Sequence, residues 1–234
     1  MKILAFDSTA VSASVALIDD NRLLGSFFTN NKLTHSRTLI PMAEALLENA
    51  DVDIGEIGAF AVNAGPGSFT GVRIGVAAVK GLAFANNKPC VSVSTLDSMA
   101  YNLRQADCTA VCVMDARCSQ VYNSNYIIKD GIIKKLCGDR AVSVEQLGDE
   151  LRGVQGRIIL AGDGAEICYN IFKDFIPGII IADEHIRYQN AVSTAFLAAE
   201  KYNSGSFVAA DELLPVYLRM PQAERELKKR KGRE

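Results

Sequence analysis

Histidine is scarce in this 234-residue chain: only His35 and His185 are present, and neither belongs to an H-E-x-x-H pattern. The six cysteines, at 90, 108, 112, 118, 137 and 168, contain no C-x-x-C pair. A structural zinc site takes about four suitable ligands, so zinc peptidase and zinc deaminase chemistry are set aside and scattered reduced thiols are expected. No apolar run approaches the ~20 residues of a membrane span. The opening Met1-Lys2-Ile3-Leu4-Ala5-Phe6-Asp7 reaches a carboxylate too early for a signal peptide. A non-exported, cytoplasmic protein with no membrane association is therefore expected. An excess of one charge is missing as well. With 25 Lys and Arg against 27 Asp and Glu, the body carries no field that would gather nucleic acid. Catalytic signatures are also lacking: there is no G-K-[ST] phosphate loop, since Lys80 precedes Gly81, and no G-x-S-x-G nucleophile elbow.

Hydrophobic residues make up 49% and charged residues 22%, an ordinary globular balance. The length fits one large domain or two compact lobes at roughly 150 residues per domain. Ile3–Asp7, Ser12–Ile18 and Leu23–Thr29 read as an antiparallel meander. Leu39, Ile40, Ala43, Leu46, Leu47 and Ala50 then fall on one helical face, with Ser36 or Thr38 as the cap. Pro41 fits the first turn only if that helix starts late. Ala59–Asn63 is a strand, a helix runs from the Gly65–Gly71 loop to about Ala85, Cys90–Val93 is a strand, and Thr95–Gln105 is a helix capped by Ser94 or Thr95. The order then repeats. Ala110–Met114, Gln120–Ile128 and Ile132–Cys137 read as strands. Val144–Leu151 follows as a helix opened by the Ser143/Gln146 capping-box pattern. Arg157–Ala161, Glu166–Phe172, Gly178–Ile181 and Ala191–Tyr202 continue as strand, helix, strand and helix. Each half thus reads β-β-β-α-β-α-β-α, which gives an α/β protein of two lobes with mixed five-stranded sheets and a cleft between them. The expected division is 1–105, 106–205 and a segment 206–234. The last thirteen residues set six basic side chains against three acidic ones, as either a solvated tail or a contact to RNA phosphate.

Several residues could carry chemistry. Gly65-x-Gly67-x-x-Thr70 precedes a helix. Its amides from Gly67 to Thr70 either cradle an anion or form a tight turn with Ser68 capping the helix. Asp7, with Ser8 and Thr9 at the end of the first strand, either holds metal and phosphate or closes a turn. Gly162-Asp163-Gly164 either approaches a nucleotide or is turn chemistry, and Asp115-Ala116-Arg117 is an exposed ion pair at a strand-to-strand turn. In the helix after Thr70, Gly71, Gly75, Ala78, Leu82 and Ala85 form a face of small residues. Arg73 and Lys80 share a second stripe with Val76, Ala77 and Phe84. Such a helix gains little from burying large side chains and is stable mainly when both faces are covered. A protein–protein contact, with Arg73 and Lys80 as polar fixtures, is the sharper reading; a helix wholly inside its lobe is the other.

Taken together, Ile3–Thr9, His35-Ser36, the run Gly65-Pro66-Gly67-Ser68-Phe69-Thr70-Gly71-Val72-Arg73-Ile74-Gly75, Asp115-Ala116-Arg117 with Gln120-Val121-Tyr122, and Pro215-Val216-Tyr217-Leu218-Arg219 resemble the TsaB (YeaZ) family of bacterial tRNA threonylcarbamoyladenosine biosynthesis proteins. The resemblance implies the two-lobed actin/Hsp70/sugar-kinase-like architecture. It also implies a non-catalytic subunit without cofactor, similar to TsaD, the paralogue that transfers the threonylcarbamoyl group to adenosine 37 of tRNAs decoding ANN codons. Such a subunit pairs with TsaD, helps recruit the ATPase TsaE, meets tRNA only through the complex, and forms homodimers alone. The implied partner surface is the two first-lobe helices: Ser36, Leu39, Ile40, Ala43 and Leu47 on one, Thr70, Val72, Arg73, Val76, Ala77, Lys80 and Phe84 on the other. TsaD carries a histidine pair for metal where this chain has only His35, and Asp7-Ser8-Thr9 lacks the glycine of the actin-type motif Asp-x-Gly-x-Thr/Ser. A degenerate nucleotide cleft around Asp7, Ser8, Gly65, Gly67, Ser68, Gly162 and Gly164 is the corresponding expectation. The alternative is an ATP-dependent small-molecule phosphotransferase of the same fold, using Asp7 and the Gly65–Thr70 loop.

Overall fold

A computed structural model describes residues 1–31 and 34–219, so the basic carboxy-terminal stretch lies outside the described residues. The first half contributes β1 (Lys2–Asp7), β2 (Ala13–Asp19), β3 (Arg22–Thr29), α1 (His35–Asn49), β4 (Ile57–Gly65), α2 (Phe69–Asn86), β5 (Cys90–Ser94) and α3 (Thr95–Asn102). Its sheet runs β3-β2-β1-β4-β5, antiparallel in the meander and parallel at β1–β4 and β4–β5. Ile3 to Phe6 is buried on both faces, which is why this central strand reads as an unbroken apolar run.

The second half contributes β6 (Cys108–Asp115), β7 (Gln120–Lys129), β8 (Ile132–Lys135), β9 (Arg140–Ser143), α4 (Val144–Leu151), β10 (Ile158–Ala161), α5 (Ala165–Phe172), β11 (Ile179–Ile181), α6 (Glu184–Arg187) and α7 (Ala191–Asn203). This sheet has six strands, ordered β11-β10-β6-β7-β8 with β9 also on β7, rather than the five the sequence suggests. The long β7 pairs β9 along its first part and β8 along its last. The four residues of β9 are too few for alternation to reveal.

Two helices change sides. α3 packs on the second sheet, where Leu96, Met99 and Leu103 join Ala110, Cys112 and Tyr126. α7 packs on the first sheet, where Ala191, Ala195 and Ala198 meet Ile3, Ala5, Val91 and Val93. α1 and α2 cover the outer face of the first sheet, and α4 and α5 that of the second. The result is a stack of five layers, with α3 and α7 in the middle.

Local capping departs from expectation at two helices. α1 begins at His35, six residues before Pro41, with Thr34 at its N-cap position and no side-chain cap; Ser36 and Thr38 lie inside it. Pro41, lacking an N–H, leaves the Arg37 carbonyl without its usual helical donor. Ser143 accepts from the Gln146 amide, but the Gln146 side chain turns to Glu150, so only half of the capping box forms. Ser94 does cap α3, accepting from the amides of Leu96 and Asp97.

Candidate functional site

The lobes leave a cavity of about 320 Å3 between the carboxyl ends of their central strands. Thr9, Ser68 and Phe69 line it from the first lobe, Asp115, Tyr122 and Asp163 from the second, and Tyr217 and Arg219 close its mouth. This is where an α/β fold places a ligand, yet the first-lobe groups expected to hold one are turned to other uses. The Ser68 N–H donates to the Thr9 carbonyl at 2.7 Å. A Cβ on Gly67 or Gly71 would overlap the backbone oxygens of Thr9 and Ser8. The loop after β1 therefore fills the Gly67–Thr70 turn with the chain's own backbone, and the Ser68 hydroxyl accepts from the Gly71 amide as a helix cap. Of the two readings weighed from the sequence, the capped tight turn is formed here, and it seats the end of β1 against glycine.

Asp7 is fully buried and does not line the cavity. Its Oδ1 accepts from Thr9 Oγ1 at 2.7 Å and Asn63 Nδ2 at 3.0 Å, while Oδ2 has no hydrogen-bond partner among the described residues. Burial pushes its pKa up, against the smaller downward pull of those hydrogen bonds. The Asn63 side-chain Oδ1 accepts from Thr194 Oγ1, which also contacts Ser98, so Asp7 anchors a buried polar chain reaching α7 and α3. Ser8 is likewise buried, its hydroxyl donating to the Gly71 carbonyl at 2.9 Å.

The second lobe presents its carboxylates differently. Gly162, at φ 105°, lets the Val113 carbonyl press against the loop after β10, and Gly164 sits over Met114 and Asp115. Asp163 between them accepts from the Asp115 amide at 3.1 Å, and burial pushes its pKa up to about 6. Asp115 pairs with Arg117 at 3.2 Å. Among the described residues, no group of three or more His, Cys, Asp and Glu side chains is gathered as a metal site. Among the described residues the cavity thus offers carboxylates, hydroxyls, guanidiniums and aromatic rings, with no nucleophile and base in contact.

The outer helices form the second candidate site. Val72, Val76, Val79 and Ala83 point into the first-lobe core with Leu39, Ala43 and Leu46 of α1. Val76, placed outward from the sequence, is only 4% exposed, and Leu39, Ala43 and Val72 are equally unavailable to a partner. The inward stripe takes in Gly71 and Gly75 of the small-residue face together with the valines, whose larger side chains gain more from burial than Ala77 would. Thr70, Arg73, Ala77, Gly81 and Phe84 face out, Phe84 being 80% exposed; Ser36 on α1 is exposed, and Ile40 and Leu47 are half-buried. The Arg73 guanidinium lies 4.9 Å over the Phe69 ring. Lys80 is occupied, its Nζ donating to the carbonyls of Asp211 and Leu213. Pro215–Arg219 stood out in the sequence only as a family motif; the placement of residues 208–219 had no periodicity to read, since the segment pairs by one bridge and crosses a cleft.

Residues 23–227 match the family described as TsaD, tRNA N6-adenosine threonylcarbamoyltransferase. The chain is 31% identical to the tRNA threonylcarbamoyladenosine biosynthesis protein TsaB of Bacillus subtilis, over 96% of each chain. It is similar in structure to YeaZ from Pseudomonas aeruginosa (TM-score 0.77, 28% identity, 93% of this chain and 99% of that one). The activator of 2-hydroxyisocaproyl-CoA dehydratase from Clostridium difficile shares the fold alone (TM-score 0.53, 9% identity, 88% of this chain and 97% of that one).

Proposed function

The chain belongs to the TsaB family of tRNA threonylcarbamoyladenosine biosynthesis proteins, and from that premise we propose that it serves the pathway as a non-catalytic, cytoplasmic subunit. It pairs with TsaD through the outward faces of α2 and α1, supports threonylcarbamoyl transfer to adenosine 37 of tRNAs reading ANN codons, and helps recruit TsaE. Alone it forms a homodimer through the same helices. The observation that carries this reading is the outward face of α2, where the small residues Ala77 and Gly81 lie between Arg73 and a bare Phe84 three turns further on. Small side chains let another helix approach closely, and a large exposed ring supplies an anchor.

The test is assembly with purified TsaD followed by size-exclusion chromatography. A77E places a charge on the outward face without touching the core. It is expected to abolish the complex while circular dichroism and melting of the isolated chain stay unchanged. A complex that survives A77E and F84A overturns the reading. V76E is unsuitable, since Val76 lies in the core.

The alternative, an ATP-dependent phosphotransferase, requires Asp7 and the Gly65–Thr70 loop to face a nucleotide. Asp7 is sealed behind Thr9 and Asn63, and the Ser68 amide is spent on the Thr9 carbonyl. Titration with Mg-ATP separates the two readings: micromolar binding with turnover of an acceptor favours the enzyme.

A further inference from the structure

The lobes are joined firmly on one side. Between the sheets, Gln189 Nε2 donates to Ser12 Oγ at 3.1 Å, the Ala191 N–H donates to Ser14 Oγ at 2.8 Å, and Ser98 meets Thr194, all in buried surroundings. At the cleft mouth the connection is of another kind. The chain leaving α7 pairs at Val208 with Cys90, packs Ala210 and Leu213 into the first-lobe core, and then runs across the opening.

We infer that residues 214–219 are a strap that latches the two lobes across the cleft mouth, with Arg219 as its catch on the second lobe. On the first lobe the strap is seated by main-chain contacts. Lys80 Nζ holds the carbonyls of Asp211 at 2.9 Å and Leu213 at 3.2 Å, and the Val216 N–H donates to the Ala64 carbonyl at 2.7 Å. Gly65, at φ 122°, has no Cβ to overlap the Val216 carbonyl, so this seat exists only for glycine. Tyr217 lies on the Phe69 ring at 4.9 Å. On the second lobe the Arg219 guanidinium donates to the Ala116 carbonyl and, at 3.4 Å, to that of Arg117. These carbonyls belong to a turn whose residues Arg117, Cys118 and Ser119 all have positive φ, at 65°, 55° and 54°. Side chains pay for that conformation. The turn is tied from inside by Asp115 Oδ1, which accepts from the Arg117 amide at 2.7 Å, and from outside by Arg219.

The strap is also built to let go. Beyond the buried Leu213, Leu214 is 67% exposed, Val216 47% and Tyr217 42%. Segments with few buried contacts open at low free energy while the core stays folded. Opening removes Tyr217 and Arg219 from the cavity wall and exposes Asp115 and Asp163, so access to the cleft is set by the chain's own carboxy-terminal segment.

Hydrogen–deuterium exchange on the full chain tests this. R219A is expected to raise exchange across residues 115–121 by about tenfold, the loss of charge-assisted hydrogen bonds, with β1 and β4 unchanged; R219K, keeping a cationic donor, falls between. Y217A loosens the strap from the first-lobe side, without touching the turn, and is expected to raise exchange at 115–121 as well. Unchanged exchange there in R219A overturns the inference, as does a uniform rise that includes β1. A Y217A chain that leaves the turn unaffected overturns it too, because Arg219 would then act alone and not as the end of a strap.

Discussion

The two lobes repeat one frame and give it different chemistry. In each, a central strand ends in an aspartate, Asp7 on β1 and Asp115 on β6, beside a glycine loop that opens a helix, α2 or α5. In each, backbone at that strand end presses into the glycine loop: the Ser8 carbonyl against Gly71, the Val113 carbonyl against Gly162. The glycines encode closure of a strand against a helix start, and the shared geometry says nothing by itself about phosphate. What differs is solvent. Asp7 is sealed and hydrogen-bonded to Asn63 and Thr9, whereas Asp115 and Asp163 stand on the cavity wall. The same backbone station is structural in one lobe and open to a ligand or partner in the other.

The comparison is broken most severely by adding a methyl group at either seat. G71A and G162A should each destabilise the chain by about 3 kcal/mol or more, since backbone cannot move away cheaply; urea denaturation measures it. A mild effect at one site would mean that the lobes do not share the frame.

Next in size is the pH response of Asp163. Its folded pKa of about 6 lies above the ordinary carboxylate range, so the folded state holds the proton more tightly than the unfolded chain. Its contribution is therefore complete in acid and is lost as pH rises from ~4 to ~6, by up to about 3 kcal/mol. D163N should flatten that part of the stability profile, and the difference between wild type and variant isolates it from other carboxylates.

A smaller effect is expected of D7N. It removes the buried carboxylate while leaving an oxygen to accept from Asn63 and Thr9, and should raise stability at pH 7, read from the denaturation midpoint. Loss of stability would show that Asp7 is held charged by partners worth more than its burial costs. The smallest folding effect belongs to F84A, within about 0.5 kcal/mol for an exposed side chain, while association with TsaD weakens by tenfold or more through loss of an anchor worth about 2 kcal/mol.

Much of the frame was legible in advance for physical reasons. Ile3–Phe6 is buried on both faces and so carries no polar interruption, and Ser94 needs only the next turn to act as a cap. Illegible features depended on distant segments. Val76 and Ala77 are adjacent, and only the packing of β4 beneath α2 decides that the valine faces in. β9 exists because the edge of β7 opposite β6 is long enough to take two partners in succession. Lys80 read as a polar fixture for a partner, whereas the segment leading into the strap brings the carbonyls of Asp211 and Leu213 to it.

By itself, the sequence determined the order of strands and helices apart from β9 and the short α6, the glycine loops and the family, because these rest on local periodicity, capping and linear motifs that neighbouring residues settle among themselves. Only the tertiary structure decided that α3 and α7 exchange sheets, that Asp7 is sealed while Asp163 is not, and that residues far along the chain close the cleft. Burial and hydrogen bonding across more than a hundred residues depend on which surfaces meet, and no local rule carries that information.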